Sequence, residues 1–217
     1  MKTDAVGSRP RCLILLPALV AVAGCASIES IEQPPVQILG GEDLEIGAAP
    51  EAPPSRAQIK DSLAALFYAD DGPQEFTFCE ASPETGQCED PDAGLSAVGV
   101  GGLFLPLVMD VSGMTIEDRE RTAEGWDITS SFDSTVNAIP PICADGDGTI
   151  AVDDTGSVIV TFDGFYCNWA VIGNVVTQVS LAIDRIDPNK RSFTGYYALQ
   201  FNGTGNAGGT GYFKAKP

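Results

Sequence analysis

The chain has 217 residues, 44% of them hydrophobic, with 12 Lys+Arg against 30 Asp+Glu, a net charge of −18 and no histidine. A surface this acidic repels phosphate backbones, which excludes nucleic acid as an expected partner. The missing imidazole excludes Ser-His-Asp and Cys-His catalysis and the common histidine-based zinc centres.

Residues 1–24 carry a basic segment ending at Arg11, then an apolar run from Cys12 to Ala23. That run is too short to cross a hydrocarbon core of about 30 Å as a helix and has the length of a signal-peptide h-region. It ends in Val22-Ala23-Gly24-Cys25. Small residues directly before a cysteine, after such a run, resemble the lipobox of bacterial lipoproteins. The resemblance covers about 25 residues and implies cleavage before Cys25, acylation of its thiol and a place in the cell envelope. Ala26 and Ser27 follow, without the aspartate that marks inner-membrane retention in that family. The outer membrane is therefore expected if the host is Gram-negative. The membrane partner is reached through Cys25, since each buried methylene of an acyl chain contributes about 0.8 kcal/mol.

Residues 25–54 contain five prolines and six acidic residues with no basic one, the composition of a disordered, extended tether. A short strand over Val36–Leu39, docking onto the domain, is the competing reading. The globular part is then 55–217. Ser55-Arg56-Ala57-Gln58 has the capping-box pattern, and Ile59, Leu63, Leu66 and Phe67 recur at helical spacing, predicting a helix over about 56–68.

After Pro73 the period changes to two. Phe76 and Phe78 alternate with polar residues, the run 95–111 is apolar and Gly-rich, and Glu117–Glu124 reads as a solvated loop or edge strand. Trp126, Ile128, Ser130, Phe132, Ser134 and Val136 then share one face. Val158–Phe162, Val175–Ile183, Phe193–Phe201 and Thr210–Lys216 follow, with turn signals at Asp187-Pro188-Asn189 and over Asn202–Gly209. The fold class is mainly β: an antiparallel sandwich or small barrel with one short N-terminal helix. The Gly-x-Trp signature of lipocalin barrels is missing, because Gly125 and Trp126 are adjacent and sit mid-chain.

Four cysteines remain in the exported part: Cys79, Cys88, Cys143 and Cys167. An even number in an exported domain predicts disulfides, and sequence order favours Cys79–Cys88 and Cys143–Cys167 among the three connectivities. No Cys-x-x-Cys redox motif occurs.

The single ligand-like cluster, Cys143 to Asp154, partly resembles a calcium loop of the EF-hand type, with Asp145, Asp147 and Asp154 as metal candidates. Cys143 stands where that loop needs an aspartate, and a tight turn leading into a hairpin explains the same residues. No cofactor is expected beyond that Ca²⁺ alternative. Tyr196, Tyr197, Tyr212 and Phe213 are candidates to line a groove, although alternation sends half of them inward. The expected function is a non-enzymatic β-rich binding or structural module for an envelope protein or small ligand. The alternative is a carboxylate-dependent hydrolase of envelope or extracellular glycans, which requires facing carboxylates in a concave pocket with one raised pKa.

Overall fold

The computed structural model describes residues 35–39, 53–68, 72–100, 106–139, 142–169, 173–202 and 206–217. The signal segment 1–24 and Cys25 lie outside the described residues, as do 26–34 and 40–52 of the expected tether. The strands are β1 (Gln37–Ile38), β2 (Gln74–Glu80), β3 (Leu95–Val100), β4 (Pro106–Arg121), β5 (Gly125–Val136), β6 (Ile142–Cys143), β7 (Gly146–Val152), β8 (Val158–Trp169), β9 (Gly173–Asp187), β10 (Ser192–Asn202) and β11 (Asn206–Lys216). The helix α1 spans Arg56–Phe67.

The wall runs β9, β10, β11, β2, β4, β5, β7, β8 and back to β9, an eight-stranded antiparallel barrel. Closure removes the exposed sheet edges that an open meander of this length would leave. Of the two architectures expected, the barrel is the one formed. Its lane between β11 and β4 is shared: β2 pairs with Phe213–Lys216 and Gly113–Ile116, and β3 with Asn206–Gly208 and Pro106–Val111. One long strand is thus interrupted after Glu80 and resumed at Leu95.

The helix begins where expected. Ser55 Oγ accepts from the Gln58 amide while Gln58 Oε1 accepts from the Ser55 amide, the reciprocal capping box. Its buried stripe is Ile59, Leu63, Leu66 and Phe67. Arg56 pairs with Asp154 at 2.9 Å, and Lys60 donates to the Ala123 carbonyl at 2.9 Å. These contacts place α1 over the end that carries the β4–β5 and β7–β8 links. Beneath it the Phe67 ring packs edge-on against Phe76, Trp126 and Phe193, with centroids 5.9, 6.3 and 6.3 Å away. Among the described residues one continuous apolar cluster runs from α1 through the barrel.

Every residue of the face Trp126, Ile128, Ser130, Phe132, Ser134, Val136 points inward and is buried. Two hydroxyls in this core, Ser130 and Thr177, are fully buried with no hydrogen-bond partner. A buried donor left unmade costs about 1–3 kcal/mol. Thr177→Val, which puts a methyl where the hydroxyl is, should therefore raise the unfolding free energy by about 1 kcal/mol. A lower denaturant midpoint would contradict this placement of Thr177.

One expectation needs correction: residues 36–39, placed within the tether 25–54, are docked on the barrel. Gln37 and Ile38 pair in parallel with Arg185 and Ile186 of β9, Leu39 donates to the Ile186 carbonyl at 2.8 Å, and Val36 is buried. The competing strand reading of this segment is the one the fold adopts. Of the two readings of 143–154, the hairpin is the one formed: residues 146–152 are a strand that turns through Asp153–Ser157 into β8, and Gly148 lies opposite Phe162, where a β-carbon would stand 2.5 Å from that ring. The glycine that looks like a turn residue makes room for a cross-strand aromatic.

Candidate functional site

The calcium candidates are separated by that strand. Asp145 and Asp147 stand at the start of β7 and Asp154 beyond its far end, all three exposed. Seven residues of extended chain span roughly 23 Å at about 3.3 Å each, far too long for one coordination sphere. No group of three or more acidic, cysteine or histidine side chains able to hold a metal occurs among the described residues. Asp154 instead pairs with Arg56, and Asp153 organises the β7–β8 turn. Burial raises the Asp153 carboxyl, but the Thr155 hydroxyl and the amides of Ser157, Thr155 and Gly156 outweigh it and hold it below the usual range.

The expected first disulfide is present: Cys79 and Cys88 are bonded, with Cα atoms 5.6 Å apart. The bond closes the excursion between β2 and β3. Its tip turns through Ser82–Gly86, where Ser82 Oγ accepts from the Thr85 amide and Gly86 takes φ +64°. Cys143 of β6 stands directly opposite Cys167 of β8 in the backbone register, and Cys167 is disulfide-bonded.

The excursion lies on the outer face of β9 and β10. Arg185 Nη2 donates to the Pro83 carbonyl at 3.2 Å. Beneath it is a buried polar cluster. Asp184 accepts from Thr194 Oγ1 at 2.8 Å, and the Tyr212 hydroxyl is 3.0 Å from both its carboxylate oxygens. Burial, then the Asp184 charge, push the Tyr212 phenol well above its ordinary value.

A second polar cluster fills the break in the shared lane. Tyr197 Oη and Ser96 Oγ each donate to Glu80 Oε1 at 2.8 Å, and Asp110 Oδ2 accepts the Gly94 amide at 3.2 Å. Burial and the Glu80 bond push Tyr197 up to about 12. Asp110 is also raised, by burial first and by the Glu80 charge, against the lowering effect of the Gly94 amide. Glu80 and Asp110 are thus close enough to feel each other's charge, the pairing nearest to what the hydrolase alternative asks for. The bonds the structure gives them hold the two ends of the broken strand together.

The C-terminal aromatics do not line a groove. Tyr197 and Phe213 are interior, Tyr212 is buried beside Asp184, and Tyr196 packs edge-on against Tyr212 with centroids 5.0 Å apart.

A concave feature on the outer wall lies across β4, β5 and β7. It has a volume of about 290 Å³ and is lined by residues that include Asp118, Glu120, Asp127, Thr129 and Asp147. Residues far apart in sequence meet here by register: Asp118 opposite Thr129, Glu120 opposite Asp127, and Thr129 opposite Asp147. Register shifts at Ser112 and Glu117 add twist to β4 and help hollow this wall. Thr129 Oγ1 donates to Asp147 at 3.2 Å. Arg119 lines the same hollow, but its guanidinium sits 4.6 Å over the Tyr68 ring and donates to the Gly72 carbonyl. Four carboxylates thus face one already engaged cation. The acidic run 117–124, expected as a solvated edge, supplies two of them.

The chain matches no protein-family model, and no curated protein matches it in sequence.

Proposed function

We propose that this chain is a cell-envelope lipoprotein, cleaved before Cys25 and held by a lipid on that cysteine, whose barrel is a rigid, non-enzymatic binding module. The outer membrane is the site in a Gram-negative host. The acidic hollow across β4, β5 and β7 is the observation that carries the binding part. It is concave, it gathers four carboxylates from three strands, and it complements a Lys/Arg-rich segment of an envelope partner. The continuous apolar cluster inside the barrel favours a site on its outer wall. The bonds of Glu80 to Tyr197 and Ser96, and of Asp110 to the Gly94 amide, argue for strand closure over glycan hydrolysis, because both acids are committed to these donors. Pairing of Cys143 with Cys167 belongs to the same proposal.

A Lys/Arg-rich dodecapeptide titrated onto the protein tests the hollow. Exposed ion pairs contribute about 0.2–1 kcal/mol each. Asp127→Asn with Asp147→Asn should therefore weaken binding about fivefold at low salt, and 0.5 M NaCl should erase the difference. Equal binding by the double variant at low salt would remove the hollow from the proposal.

A further inference from the structure

The excursion between β2 and β3 covers the outer wall without an apolar hold on it. From Ser82 to Asp92 it contributes no residue to the hydrophobic core, and its charged residues Glu84, Glu89, Asp90 and Asp92 are all exposed. At the tip, Gly86 is buried against β9 and β10: a β-carbon there would stand 3.2 Å from Arg185 Nη1 and 3.8 Å from the Thr194 methyl. Among the described residues, Arg185 is the one side chain outside the excursion that hydrogen-bonds to its tip, through the Pro83 carbonyl. The root is tied by backbone bonds from Ala81 to Tyr212 and from Glu89 to Glu80, and by the Cys79–Cys88 bond.

What the excursion covers is polar as well. Asp184, Thr194 and Tyr212 stand on the outer face of three adjacent strands, yet they are only 7%, 8% and 6% exposed. Their hydroxyls and carboxylate bond to one another, so the cluster gives up none of these bonds when the cover lifts. The four acids of the excursion lie over a fifth carboxylate, Asp184, with Arg185 as the cation that touches both layers. A cover packed on an apolar surface resists opening, because opening exposes hydrocarbon to water. Here opening returns a carboxylate, two hydroxyls and a guanidinium to water, and the hydrophobic effect does not oppose it.

We infer that the Cys79–Cys88 bond is the latch of a redox-released cover: its reduction by a dithiol frees the excursion and opens the Asp184–Thr194–Tyr212 cluster, with Arg185, to solvent. Access selects the sulfur that reacts. Cys79 is 1% exposed, with its Sγ against the Lys214 carbonyl, whereas Cys88 is partly exposed. A thiolate of the reductant attacks Cys88 Sγ, the Sγ–Sγ bond breaks, and Cys79 leaves with the electron pair and takes up a proton. The second thiol of the reductant then displaces Cys88 as a thiol. The dithiol ends as a disulfide, and the protein has gained two electrons and two protons. The pairing of β11 with β2 and β10, and of β10 with β9, does not involve this bond, so the change is confined to the excursion and the face beneath it.

The experiment uses the full chain as purified, treated with dithiothreitol without denaturant and then held free of reductant under argon. Hydroxyl-radical labelling is read by mass at Tyr212 and at Trp126, a core residue beneath α1. Label on Tyr212 should rise about fivefold while label on Trp126 stays constant, and reoxidation should return Tyr212 to its starting level. Untreated Cys79→Ser with Cys88→Ser should match the reduced parent, which assigns the effect to this bond. A dithiol oxidoreductase whose second cysteine is replaced by serine should be trapped as a mixed disulfide on Cys88, and trapping on Cys79 would contradict the access on which the step depends. Unchanged Tyr212 label after both thiols are released overturns the inference, as does a bond that resists dithiothreitol in the folded protein. A parallel rise at Trp126 would make the bond a staple of the whole fold and overturns it too.

Discussion

Phe67→Ala should lower the unfolding free energy by about 3–5 kcal/mol, the range for emptying a fully buried aromatic site. Phe67 is 2% exposed and is the residue through which α1 meets the barrel. Its ring touches β2, β5 and β10 through Phe76, Trp126 and Phe193, and Phe193 passes the contact to Phe213 at 5.9 Å. Deleting it leaves a hole where three strands converge, and the surrounding wall is hydrogen-bonded and cannot collapse onto it. The denaturant midpoint should fall sharply with little change in slope. A loss under 1 kcal/mol would mean that α1 does not plug the barrel, and the helix would have to be placed elsewhere.

Cys79→Ser with Cys88→Ser should cost about 2.5–3 kcal/mol from loop-closure entropy alone, for a loop of about ten residues. A second readout belongs to this variant. The disulfide holds the excursion whose Pro83 carbonyl is bonded to Arg185, beside the buried Asp184–Tyr212 cluster. Loosening it lets water in, so the Tyr212 phenol should ionise at lower pH than in the parent. The sign for stability follows from proton counting. A phenol raised in the folded state keeps its proton after the unfolded chain has lost it, so its contribution is complete below pH about 10 and is lost as pH rises further. The parent should therefore destabilise through alkaline pH, and the variant should show less of that slope. Tyrosinate absorbance near 295 nm follows the ionisation. Identical alkaline titrations of the two proteins would show that the excursion does not protect the cluster. Peptide mapping of the parent under non-reducing conditions should join Cys143 to Cys167. A Cys79 or Cys88 peptide linked to either would contradict the register of β6 on β8.

Much of the fold is legible in the sequence because half-buried strands alternate. The face from Trp126 to Val136 could be read directly, as could the C-terminal meander and the capping box at Ser55. Sequence order pointed to the Cys79–Cys88 pairing because the two lie close along the chain, about one tight excursion apart. What was hidden depended on tertiary contacts. Gly146-Asp147-Gly148 looks like a turn until Phe162 is known to lie opposite Gly148. The division of 95–111 into β3 and β4 is blurred because Val98, Val100 and Val108 are apolar on the outward face. The docked strand β1 sits inside a proline-rich acidic stretch whose composition argues for tether. The hollow was illegible because its acids come from three strands, and only the register brings Asp118, Asp127 and Asp147 together.

The location proposed for this protein turns on the state of one sulfur. Cells grown with labelled palmitate, followed by recovery of the protein and mass analysis of its N-terminal peptide, test that directly. The account predicts label on a mature chain whose first residue is an acylated Cys25, and no label after Cys25→Ser. An unlabelled protein, or a mature chain that begins at any other residue, would contradict it.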